Sequence, residues 1–224
     1  MKLLFIEDLD SDVKNWQASL ATKNDYVGDF KAKYLPKDIP PEKTEDEEYL
    51  RGYLRERFYK TGKVADFRDW LEANTNITEM QQDLEELMGG KFLREVITSY
   101  ITVFGLGRYH VQGNMFYVIY RSAEHDRKER ISSIYHELMH FMFHWHYWDQ
   151  CRAAGLSDQD VHNFKESITV LLNLILAKRG LPLDKGYSVH EELRKQWMRL
   201  YEENPAFPIF FEKALALYKN QIHL

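Results

Sequence analysis

His136 and His140, with Glu137 directly after the first of them, are the residues of this chain best suited to chemistry. On an α-helix, side chains four positions apart leave from nearly the same face, so the two imidazoles can hold one metal ion. Glu137 sits beside that face, where its carboxylate can take a proton from a metal-bound water. The motif lies in a run from Arg130 to Trp148 without Gly or Pro. That run is apolar at positions 131, 134, 135, 138, 139, 141, 142, 143 and 145. A helix apolar nearly all round is expected to be buried, and polar groups inside it need partners. A metal supplies them. A buried hydrogen-bond network is the competing explanation, made easier because four of the 9 histidines fall at 136, 140, 144 and 146.

The His-Glu-x-x-His run over residues 136–140 resembles the zincin metallopeptidases, and over roughly residues 97–175 the chain looks most like the gluzincin type. The resemblance implies an antiparallel sheet before the motif helix and a Glu ligand from a following helix. Tyr100-Ile101-Thr102-Val103-Phe104 and Phe116-Tyr117-Val118-Ile119-Tyr120 are β-branched and aromatic, with Gln112-Gly113-Asn114 as a turn signal between them. They read as a hairpin.

A catalytic zinc site takes three protein ligands and keeps one position open. His146 has the spacing of the extended metzincin motif, but that motif turns on a Gly where this chain has Phe143. On a continuing helix, six residues rotate His146 about 240° from His140. His144 lies eight residues from His136, ~12 Å along the axis, too far for one ion to join all three. The next helical stretch, Asp158 to Lys178 with Ser157 as N-cap, places Glu166, Thr169 and Asn173 on one face of an otherwise apolar helix. Ala153-Ala154-Gly155 lets the chain turn back antiparallel, which makes Glu166 the expected third ligand. His162, on the same face, is the runner-up. The gluzincin pattern often carries an Asp four residues after this Glu, and here that position is Val170. Asn173 or Thr169 is then expected in the role of orienting a histidine.

The resemblance further implies a Zn2+ cofactor, Glu137 as general base, and hydrolysis of a peptide bond in a peptide or protein substrate. A His or Tyr from a later segment is expected to assist the tetrahedral oxyanion. Gly186-Tyr187-Ser188-Val189-His190 supplies Tyr187 and His190 for that role. Packing of Tyr187, and a place for His190 in the first turn of a helix capped by Ser188, are the competing assignments. By the same analogy, substrate lies along the sheet's edge strand, Phe116 to Tyr120.

At 224 residues and 44% hydrophobic, the chain can build one sizeable core, with a small N-terminal addition. Its net charge of −5 argues against nucleic acid as the main partner. A single cysteine, Cys151, excludes an internal disulfide framework. No signal segment or membrane span is read, so a cytoplasmic protein is expected. Lys2 to Ile6, the acids at 7, 8 and 10, and a helix over 13–20 resemble the opening of a response-regulator receiver domain. That likeness covers about twenty residues, and without the alternating β/α run of such a fold a working receiver is not expected.

The expected architecture is α+β: mainly helical, with one small antiparallel sheet ahead of the motif helix. Residues 1–43 form a strand, a helix and a linker holding Pro36, Pro40 and Pro41, and 44–224 the metallopeptidase-like domain. Helices are expected near 45–59, 64–73, 77–88, 189–203 and 206–219, the third capped by Asn76 and ended by Gly89-Gly90. Zinc-dependent peptide hydrolysis is the expected function. A catalytically inactive zincin-like metal-binding or interaction protein is the first alternative. A signalling protein led by its N-terminal segment, with an accidental motif, is the second.

Overall fold

The computed structural model describes residues 1–24, 28–31 and 35–222. The fold is α+β, and the chain forms two compact units, both discontinuous in sequence. One takes Lys2–Thr75 and Val96–Ile131; the other takes Met1, Asn76–Glu95 and Ser132–Leu224. Among the described residues, no helix is long and apolar enough to cross a membrane.

The first unit holds a four-stranded sheet: β1 (Lys2–Ile6), β4 (Val96–Thr102), β5 (Tyr109–His110) and β6 (Met115–Ile119), in the order β1-β4-β6-β5. A separate two-stranded ladder pairs β2 (Lys23–Asn24) with β3 (Gly28–Asp29). The four-stranded sheet is mixed, which corrects the antiparallel expectation. β4 runs parallel to β1, with Leu3 opposite Ile97, and parallel to β6, with Tyr100 opposite Tyr117. The Gln112-Gly113-Asn114 turn does form, with Asn114 in the left-handed region at φ 47°, but it joins β5 to β6. β5 carries the chain back before β6 starts, so the two long strands end up parallel. β6 is therefore flanked by β4 and β5, and Phe116–Tyr120 is not a sheet edge; β1 and β5 are.

Helix α1 (Leu9–Leu20) starts at Asp8, whose carboxylate accepts from Ser11 N at 2.8 Å. Its apolar stripe, Val13, Trp16 and Leu20, is buried. The acids that resemble a receiver site have structural partners: Asp8 caps the helix, Glu7 pairs with Arg68 and Asp10 with Arg51. Helix α2 (Glu47–Leu54) passes into a π-turn over Arg55–Tyr59, and α3 (Lys63–Asn74) completes the helices before Thr75.

Asp12 is fully buried. It accepts from Thr102 Oγ1 at 2.7 Å, Val103 N at 3.0 Å and Tyr59 Oη at 3.2 Å, tying α1 to the end of β4. Burial outweighs these bonds and pushes its carboxyl up to about 7, from 3.8. Between those two values the folded chain holds a proton that the unfolded chain releases, so stability falls as pH rises from about 4 to 7. Asp12→Asn keeps the acceptor oxygen and removes the charge. Thermal melts across pH 4–8 should show the variant losing this slope and gaining a few kcal/mol at pH 8, at ~1.4 kcal/mol per pKa unit. An unaltered slope would mean that Asp12 does not titrate in this window.

The second unit is helical. It comprises α4 (Ile77–Met88), most of α5 (Glu124–His146), α6 (Trp148–Ala153), α7 (Asp158–Ile168), α8 (Leu172–Lys178), α9 (Glu191–Glu203) and α10 (Phe207–Ile222). Asn76 Oδ1 caps α4 by accepting from Glu79 N at 3.2 Å, and Gly89 ends it at φ 67°. Ser157 and Asp160 form a full capping box on α7. The expected single helix over Asp158–Lys178 is interrupted by a 3-10 turn at Thr169–Leu171. Phe143, Phe164, Trp197 and Phe211 meet ring to ring in the core, with Phe164 and Trp197 centroids 5.8 Å apart. Trp197 Nε1 donates to Ser167 Oγ at 2.7 Å, and so anchors α9 to α7.

Candidate metal centre

α5 and α7 bring the chemistry together. One ligand atom from each of His136, His140 and Glu166 lies within 4.8 Å of the others. The helical spacing acts as expected, setting the two imidazoles 4.3 Å apart between centroids at 76°. Glu166 faces both: Oε1 is 3.1 Å from His140 Nε2, and Oε2 is 3.4 Å from His136 Nε2. Glu166 Oε2 is buried and, among the described residues, accepts no hydrogen bond. Two imidazole nitrogens and a carboxylate oxygen converging from two helices are a donor set that fits a divalent metal ion such as zinc.

The electrostatics follow from burial. His140 is 2% exposed, and burial pushes its imidazole down to about 3, so it is neutral and able to ligate. Burial alone would raise Glu166, but His140 and Lys165 hold it well below the usual carboxylate range. Burial likewise opposes the charged form of His136, yet Asp184 and Glu166 keep it well above an ordinary histidine. Glu137 lies beside the three with its carboxylate in no hydrogen bond or ion pair among the described residues. Burial pushes it up to about 7.

Sequence reasoning missed two residues here. Asp184, in the loop between α8 and α9, faces His136 Nδ1 across 3.5 Å and leaves Nε2 turned to Glu166. Thr169 and Asn173, expected to orient a histidine themselves, hold Asp184 instead. Thr169 Oγ1 donates to its Oδ2 at 2.7 Å, and Asn173 bonds its backbone at both N and O. Arg194 closes the set, donating to Asp184 O at 2.6 Å and to Thr169 Oγ1 at 2.7 Å. Glycine is favoured at Gly186: its φ of 59° is left-handed, and a Cβ there would lie 2.5 Å from Arg194 Nη1 and displace the guanidinium. Asp184→Asn is expected to weaken zinc binding ~10–100-fold in a chelator competition, the usual cost of losing such a partner. Unchanged affinity would remove Asp184 from the centre. The second missed residue, Lys165, is 1% exposed and donates from Nζ to Glu166 Oε1 at 2.8 Å.

The other histidines weighed from the sequence, His144, His146, His162 and His190, are not part of the converging set. His146 meets Lys91 O at 2.7 Å, and His144 stacks on Trp148 with centroids 4.0 Å apart. His162, the runner-up ligand, packs edge-on against Trp148, with ring centroids 5.1 Å apart. His190 is buried in a 3-10 turn at Ser188–His190, within the field of Glu166, and Tyr187 lies 6.4 Å from it between rings. Comparison with protein-family profiles, curated proteins and solved structures finds no match for this chain.

Proposed function

We propose that this chain is a zinc-dependent hydrolase of peptide bonds, acting on a peptide or protein substrate. The observation that carries the proposal is the convergence of His136, His140 and Glu166, with the uncommitted carboxylate of Glu137 beside them. Bound there, zinc would polarise a substrate carbonyl and acidify a coordinated water.

The chain's own residues supply the rest. Glu137 accepts the proton released as water attacks and returns it to the departing amine. Among the described residues its carboxylate makes no hydrogen bond, which leaves both oxygens open to that exchange. Asp184, clamped by Thr169, Asn173 and Arg194, fixes the His136 ring. His190 and Tyr187, from the segment before α9, are the donors proposed for the oxyanion.

The test is elemental analysis of protein purified without chelator or metal-affinity tag, followed by hydrolysis of a mixed peptide library. About one zinc per chain and chelator-sensitive cleavage are expected. No metal as isolated, and none taken up from added zinc, would sink the proposal. Stoichiometric zinc without cleavage would leave a binding centre and remove the hydrolase.

A further inference from the structure

A fully buried lysine at a three-ligand centre calls for a physical reason. Lys165 occupies the apolar stripe of α7, sharing it with Val161, Phe164 and Ile168, all of them buried. Its ammonium lies 2.8 Å from Glu166 Oε1, the oxygen that also faces His140. The same charge acts on His140, His144, His162 and Glu137, so it stands among the site's groups.

We propose that Lys165 is a positioning residue that sets how tightly this centre holds its metal, deliberately weakening it so that the ion exchanges with its surroundings. The inference rests on the metal-centre assignment above. Two effects of the ammonium oppose each other. By engaging Oε1 it fixes the Glu166 carboxylate, with Oε1 toward His140 and Oε2 toward His136, which favours binding. Its positive charge, placed against a ligand oxygen, repels a divalent cation and offsets the charge Glu166 contributes.

Magnitudes decide between them. Losing an outer hydrogen-bond partner of a ligand weakens binding by ~10–100-fold. A unit charge about 4 Å from another at an effective dielectric near 20 alters an equilibrium constant by ~10³, more against a divalent ion. At 1% exposure, solvent does little to screen Lys165. Repulsion wins, and the wild-type centre is weaker than its three ligands alone would make it.

The experiment is zinc titration against a chromophoric chelator for wild type, Lys165→Met and Lys165→Gln, each checked for folding by its melting curve. Both substitutes approach the length of lysine without its charge, so one folded variant suffices. Zinc affinity is expected to tighten at least ~10-fold, the difference between the two effects. A merely structural lysine would give the opposite, since disturbing the pocket can only loosen the ion. Equal or weaker binding by a folded variant overturns the inference while leaving the metal centre in place. Failure of wild type and variants alike to bind zinc overturns the centre and this inference with it.

Discussion

Glu137→Gln is expected to lower peptide hydrolysis by ~10²–10⁴-fold while one zinc per chain is retained. The amide has the shape of the carboxyl group but cannot accept a proton at neutral pH, so only the base is lost. Two features make this substitution a clean probe. Glu137 holds no hydrogen bond or ion pair among the described residues, so no other side chain loses a partner. It also falls outside the converging set His136, His140 and Glu166, so the donor atoms stay where they are. Cleavage of a fluorogenic peptide, zinc content and melting temperature, taken together, read out the three consequences separately. Wild-type activity in a zinc-loaded variant would show that another group moves the proton. Loss of zinc together with activity would make Glu137 a ligand instead.

The parts of this molecule legible in its sequence are those set by short-range geometry. His136 and His140 converge because four residues make about one helical turn, and that holds in any surroundings. Glu166 was legible because a carboxylate on an apolar helix stands out, and because one turn at Gly155 suffices to return the chain. Lys165 left the same kind of signal, lying on the stripe of Val161, Phe164 and Ile168, but beside Glu166 it passes for half of a solvated ion pair. Asp184 left almost none. It comes from a loop with no period, and its role depends on Arg194 and Asn173 reaching it from two helices. Strand direction was hidden for a related reason. Leu3 and Ile97 are neighbours in space and far apart in sequence, and the two-residue β5 that turns β6 parallel is too short to show a pattern. Nothing in the spacing singles out Asp12 from the other acids of this segment, although it lies next to the buried Val13 and one turn before Trp16.

Glu166→Gln is expected to produce the largest combined effect: loss of zinc binding together with a drop in stability of about 3–5 kcal/mol. The two losses have separate causes. Zinc binding fails because the centre is left with two imidazole ligands and no carboxylate beside the Lys165 ammonium, a larger change than the ~10–100-fold penalty for an outer partner. Stability falls because Lys165 donates to Glu166 Oε1 from a position 1% exposed, and removing the carboxylate leaves its charge in the core without that counter-ion. For a chain of this size the melting temperature should fall by roughly 10 °C. Combining Glu166→Gln with Lys165→Met separates the causes. The uncharged pair should recover most of the stability, because the ammonium that Glu166 balanced is gone, yet should still fail to bind zinc. If Glu166→Gln alone keeps its zinc, the third ligand lies elsewhere, and His162→Ala is the variant to make next. If the double variant stays as unstable as the single one, Glu166 supports the fold through its contacts with His136 and His140 rather than by balancing Lys165.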